Sequence, residues 1–360
     1  MAAEDASEPP AESGDVGDDE GDEGNEGTAA AAASALIGTP CPDWGCGVNS
    51  PQIDNSFFHE LNVDGVQNLE GYSLVSATKA LAVYDVSVEN ARLIARYRFG
   101  NVEAPRTLTG NALEGLQISL RKINPTTGAT FNYRMSVDQV DRFVEYRANP
   151  ADGSTPPLIE TYKLFIQGDG PYGAYLCQNG TELIPPTGPT SMTRHSALVF
   201  EGERINAKRK YISTSLNTRW FNIGCAESAV AKLHLYGHTK ASSIAGFHTT
   251  IAERQTMLKM LVGDYCGTGM PFTVAGQPLS WEDDQHTMVM PPWIAKTTEA
   301  RWTSAGAACL NTPRVVAFPS DESAEAFPSG VERAIADECP RPPRCPVVDV
   351  SYHLRSYNRT

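Results

Sequence analysis

The chain has 360 residues, 41% of them hydrophobic and 20% charged, so a packed core is within reach and global disorder is excluded. No apolar run reaches the roughly 18 residues of a membrane-spanning helix. The formal net charge of -14 sits mostly at the start: residues 1–26 hold eleven acidic groups and no Lys or Arg, which leaves 32 acids against 29 bases elsewhere and no basic field for nucleic acid.

Residues 1–40 are low in complexity, acidic and without an aromatic side chain, so they read as a disordered leader. From Cys41 to about 155 the texture is β. Phe57–Val63 ends at the turn signal Asp64-Gly65, and Leu81–Val86 and Leu93–Phe99 alternate well enough for half-buried strands. Leu113–Leu120 and Thr130–Met135 continue the series around the turn Pro125-Thr126-Thr127-Gly128, and Arg142–Arg147 adds a further candidate strand. Such regular short strands predict a sandwich or a barrel-like sheet.

Beyond 156 the pattern is mixed. Ile159–Gln167 and Ser196–Phe200 read as strands. Ala226, Ala229, Val230 and Leu233 recur at helical spacing and predict a helix to about Tyr236, with Gly237 at the left-handed cap. Thr250-Ile251-Ala252-Glu253 is a capping box that opens a second helix, with Ile251, Leu258, Leu261 and Val262 on one stripe and Gly263 at its end. Strand-like pieces such as Arg314–Phe318 follow amid prolines.

Eight cysteines, Cys41, Cys46, Cys177, Cys225, Cys266, Cys309, Cys339 and Cys345, lie at wide separations. An even, scattered set favours the disulfide framework of an exported protein, with buried thiols or a metal site as the alternatives. Only Cys41 and Cys46 come near zinc-ligand spacing, and the Pro-Asp-Trp-Gly between them equally favours a tight turn that brings them together. Between Cys339 and Cys345 lies Pro-Arg-Pro-Pro-Arg, whose extended geometry holds the α-carbons about 19 Å apart, too far for a bridge. Each should therefore find a distant partner, and Cys309–Cys339 is the pair expected. No basic-then-apolar signal segment opens the chain; the cysteines favour a processed, exported form over a cytoplasmic one.

The stretch from Met260 through Gly263-Asp264-Tyr265-Cys266 to Leu279 resembles the signature of the bacterial ADYC-domain family, with Gly263 in place of the first Ala. Phe221–Ala226 with the following helix, Arg301-Trp302 before Cys309, and Cys339-Pro340 also resemble it, over roughly 156–347. The resemblance implies an exported protein or lipoprotein, places Cys225, Cys266 and Cys309 in a structural framework, and brings no catalytic residue to carry over.

The candidate reactive groups each have a plainer reading. Cys225, at the expected start of a helix, would have a depressed thiol pKa and could act as a nucleophile with His234, His238 or His248 as base; half of a disulfide, with Cys266 as the suggested partner, is the reading preferred. His234 and His238 are spaced i, i+4 as in a zinc site, but Gly237 intervenes and no Glu follows His234, so they are expected to be surface or structural histidines. Asp264, Glu282, Asp283 and Asp284 could serve acid–base chemistry or calcium, although acids in loops are mostly solvated. Trp281, His286, Met288, Met290 and Trp293 could form a recognition surface or a small core.

These observations together predict an α+β protein, predominantly antiparallel β with two short amphipathic helices, disulfide-stabilised behind a disordered acidic N-terminal tail. Its expected divisions are 1–40 leader, 41–155 β-rich region, 156–347 ADYC-like region and 348–360 C-terminal tail. The function expected is a non-enzymatic extracytoplasmic module, secreted or lipoprotein-type, whose partner is another envelope protein or a surface polymer. No cofactor and no metal are implied. The alternative is a thiol-dependent hydrolase using Cys225 with a nearby His.

Overall fold

The computed structural model describes residues 51–54, 56–100, 103–144, 158–177, 195–206, 210–213, 219–226, 228–241, 249–273, 280–283, 296–314, 335, 338–346 and 354–359. The expected leader, Cys41, Cys46, His248, Asp284, His286, Met288, Met290, Trp293 and most of Arg314–Phe318 lie outside them.

The fold is mostly antiparallel β with two short helices. The first half contributes β1 (Gln52–Ile53), β2 (Ser56–Phe57), β3 (Glu60–Asn62), β4 (Tyr72–Lys79), β5 (Ala82–Glu89), β6 (Arg92–Phe99), β7 (Thr107–Leu108), β8 (Gln117–Ile123) and β9 (Thr130–Val144). Then come β10 (Leu158–Gln167), β11 (Gly173–Tyr175), β12 (Ser196–Glu201), β13 (Arg204–Asn206), β14 (Tyr211–Ser213), β15 (Trp220–Cys225), α1 (Ala229–Leu235) and α2 (Ile251–Val262). β16 (Ser280–Asp283), β17 (Lys296–Thr303), β18 (Gly306–Leu310) and β19 (Leu354–Arg359) close the chain.

The main sheet runs β3-β15-β12-β10-β9-β8-β4-β5-β6-β7, with β11 on β10. It curls back on itself. Glu201, at the end of β12, accepts hydrogen bonds from the Asn90 and Ala91 N–H groups in the β5–β6 turn, and Tyr162 Oη accepts from the Leu93 N–H. Inside the curl, alternate residues such as Tyr84, Val86 and Val88 of β5 meet Leu61, Val199, Phe221 and Ile223 in one buried cluster. The period of two that marks each strand in the sequence is the alternation between this core and the outer face.

A second cluster forms around α2 and the four-stranded sheet β16-β19-β17-β18, centred on Tyr265, Trp281 and Trp302. Thr250 and Glu253 form the expected capping box, and Gly263 closes α2 with φ 67°. The helix is not a one-sided amphipath: every residue from Arg254 to Val262 is buried, because α1, β14 and the second sheet all pack against it and the polar residues find internal partners.

Several boundaries differ from the sequence reading. Residues 110–113 form a 3-10 turn ahead of β8, so Leu113 is not in a strand. The sequence pattern marks neither β4 nor β15 as a strand, since Ser, Thr, Asn and Gly interrupt their apolar residues. β9 continues as one strand to Val144 and pairs along its length with β10, so the main sheet crosses the division expected at 155. α1 starts at Ala229, capped by Ser228, because Ala226 is still held by a hydrogen bond to Ser196. The expected tail supplies β19, an inner strand of the second sheet.

Candidate functional site

The signature tetrapeptide follows α2 directly, and each of its four residues makes a different internal connection. Gly263 takes the left-handed conformation; a Cβ there would lie 2.8 Å from the Phe272 carbonyl oxygen. Asp264 is fully buried. It pairs with Lys259, one turn back on α2, and accepts from the Gly269 N–H at 2.9 Å, while Lys259 also donates to the Gly267 carbonyl at 2.9 Å. Burial pushes the Asp264 carboxyl up, against the opposing pull of Lys259.

Tyr265 stacks on Trp302 and donates to Glu299 Oε1 on β17, the same oxygen that accepts from Arg314 Nε at 2.8 Å. Desolvation drives its phenol well above the ordinary value. Cys266 is bonded to Cys339. The loop beyond packs backbone to backbone on the β17–β18 turn, where a Cβ on Gly267 would overlap the Ala305 carbonyl. The tetrapeptide thus ties the end of α2 to its own loop through an ion pair, to the second sheet through a phenol and to the C-terminal segment through a disulfide.

Two further bridges are Cys177–Cys225 and Cys309–Cys345. Cys339 and Cys345 do find separate, distant partners, but the expected Cys309–Cys339 pair is corrected: Cys345 lies opposite Asn311, which puts it beside Cys309 instead. The suggested Cys225–Cys266 pair is corrected too. Cys225 ends β15 with its sulfur in the main-sheet core, where Cys177 meets it, and Cys266 faces the second core. Cys225 is therefore neither at a helix N-terminus nor a thiol, and the nucleophile alternative loses its reactive atom.

The other candidates among the described residues are buried, apart from the half-buried Glu282. His234 stacks on Phe200 and bonds Thr239 Oγ1 at 2.8 Å; burial lowers its pKa to about 4. His238 lies 3.4 Å from Asp283 and bonds the Tyr236 carbonyl, partners different from those of His234. Glu282 accepts from Tyr357 at 2.7 Å. Trp281 is buried against Tyr236 and His238, so it belongs to the core and not to a recognition surface. Among the described residues no three His, Cys, Asp or Glu side chains are grouped to hold a metal.

Sequence reasoning missed the charged residues that line this interior. Glu203–Arg254 and Glu299–Arg314 are buried ion pairs, and burial lowers Lys210 to about 8, near Asp264 and Lys259. Nothing in their local sequence marks them, since partners come from 51 and 15 residues away.

Among the described residues an open concavity lies on the main sheet. A cleft of about 540 Å³ runs beside β5 from Val83 to Ser87 beneath Arg219, and a second of about 430 Å³ continues it to Asn90 and Glu201. Exposed ion pairs line it: Arg96–Glu89, Arg98–Asp85 and Arg219–Asp64. At one end the β4–β5 turn places Ala80 and Leu81 at positive φ, with Leu81 91% exposed.

Residues 116–316, more than half of the chain, match the ADYC domain. The chain belongs to the ADYC-domain family. The match begins at the entry to β8, earlier than the sequence reading placed it, and ends before Cys339 and Cys345. The ADYC domain here therefore includes the Cys177–Cys225 bridge but receives the partners of Cys266 and Cys309 from the segment beyond it. The cleft joins the two parts: β4, β5 and β6 precede the matched region, whereas Glu201 and Arg219 lie within it. No curated protein matches the chain, and no solved structure does.

Proposed function

We propose that this ADYC-domain protein is a non-enzymatic extracytoplasmic module, secreted or lipoprotein-type, that binds another component of the cell envelope. The observation that carries the reading is the use made of the signature: Asp264, Tyr265 and Cys266 are all spent on internal connections. Three disulfides add support, because such bonds persist in oxidising compartments and are rare in the cytosol. Closing loops of 36 to 73 residues, each stabilises the fold by about 4 kcal/mol on the chain-entropy account. The cleft along β5 is a surface open to a partner among the described residues, and its mixed charges suit a polar ligand.

The test is alkylation in the producing cells. Maleimide added before lysis and reduction is expected to leave Cys177, Cys225, Cys266, Cys309, Cys339 and Cys345 unlabelled. Labelling of these six in the native cell would place the protein in a reducing compartment and remove the extracytoplasmic reading.

A further inference from the structure

The main sheet is torn beside β5. Its ladder with β4 covers only Ala82–Tyr84 against Ala77–Lys79, after which β4 turns away to follow β8. From Asp85 to Glu89, β5 is laddered to β6 alone among the described strands. The closing pair of that hairpin is Glu89 with Arg92 across the two-residue turn Asn90-Ala91, whose positive φ values, 51° and 56°, are those of a type I′ turn. Glu89, Ser87 and Asp85 therefore exchange hydrogen bonds with β6, and Val86 and Val88 turn their backbone groups the other way. The partner strand agrees: Leu93 and Tyr97, opposite Val88 and Tyr84, send their N–H groups away from β5, to Tyr162 and Arg106.

Two N–H and two C=O groups, spaced about 7 Å apart, thus face the cleft that follows β5 from Val83 to Asn90, about 24 Å of strand. No backbone hydrogen bond from the described loops reaches Val86 or Val88. An edge that no described strand covers is a template for another strand.

We propose that the Asp85–Glu89 edge of β5 takes up an extended segment of a partner polypeptide as an added strand. The chemistry selects a polypeptide over a saccharide. Backbone groups at strand spacing match a peptide's own, the flanking charges come in both signs, and Tyr84, Trp220 and Phe221 of the lining are buried and present no face on which a sugar ring could stack. The three lining ion pairs are about half exposed, so each is weak and exchanges readily with charges on the incoming strand. Leu81 and Phe99, exposed at the Val83 end, receive an apolar side chain of that strand. The proposal rests on the binding reading above and names the partner class for its cleft.

Amide exchange on the 15N-labelled full chain tests it, alone and with a pool of N-acetylated octapeptides alternating valine or threonine with lysine or glutamate and carrying leucine at either end. In the free protein the Val86 and Val88 amides should exchange at least tenfold faster than those of Asp85, Ser87 and Glu89. The pool should slow those two amides at least tenfold. The Asp85→Arg/Arg98→Glu double variant, which keeps the pair, should change which charged peptides the chain selects. Val86 and Val88 already as slow as their neighbours in the free protein would mean that the edge is covered, and the proposal falls. A pool that shifts resonances elsewhere and leaves these two amides unchanged would refute strand addition while leaving the binding reading in place.

Discussion

Tyr265 Oη and Glu299 Oε1 lie 2.5 Å apart in the centre of the second core, and the same carboxylate oxygen receives Arg314. A tyrosine of the signature thereby completes a buried ion pair supplied by β17 and the segment after β18. Pairing keeps the two charges tolerable in an apolar setting, and removing any member strands another. Tyr265→Phe should cost about 1–3 kcal/mol, and Glu299→Ala about 3–5 kcal/mol, in urea unfolding. A Tyr265→Phe variant as stable as the parent would show that the phenol contributes nothing to the pair.

Gly263 offers a sharper test of local geometry. The family's signature begins with Ala, yet here the position has φ 67° and a Cβ would crowd the Phe272 carbonyl. Gly263→Ala should therefore destabilise the protein by about 1–2 kcal/mol despite restoring the family's residue. A neutral or stabilising result would mean that α2 ends differently in solution.

Acid stability follows from two histidines. Burial lowers His59 to about 3 and His234 to about 4 from the ordinary value of 6.5. Their neutral forms belong to the folded state, so the unfolded chain takes up protons first and stability is lost as pH falls from about 6.5 towards 4. Glu203 and Asp264, raised by burial, act in the opposite direction and offset part of the loss. Urea midpoints measured from pH 7.5 to 4 should decline, and the His59→Gln/His234→Gln variant should show a flatter profile. An unchanged slope in that variant would assign the acid sensitivity elsewhere.

The two C-terminal bridges should matter for different reasons. Cys266→Ala frees the signature from Cys339, and Cys309→Ala frees the last strand of the hairpin from Cys345. Each loss should lower stability by about 2–4 kcal/mol, and a calorimetric scan should show melting reduced by several degrees. Melting unaffected by Cys266→Ala would remove the signature from the scaffold.

Capping and alternation were legible because they are local. Thr250 with Glu253, Gly237, and the strands around Val83 and Leu93 carry their signals within a few residues. Strand β15 was not, since Asn222 and Gly224 break its alternation where β15 meets α1, and Gly224 lies against Ala231. Disulfide partners and buried ion pairs depend on segments brought together from far along the chain. The proline spacing of Cys339 and Cys345 could say which bond does not form, but only the strand order around Asn311 decides which does. The edge of β5 was equally hidden, because the divergence of β4 is a property of the sheet and not of either strand.

Peptide mapping of native, non-reduced protein after alkylation measures the scaffold most directly. The predicted products are Cys177–Cys225, Cys266–Cys339 and Cys309–Cys345, with none of the six alkylated. An alkylated Cys225, or Cys266 joined to any cysteine other than Cys339, would contradict the account.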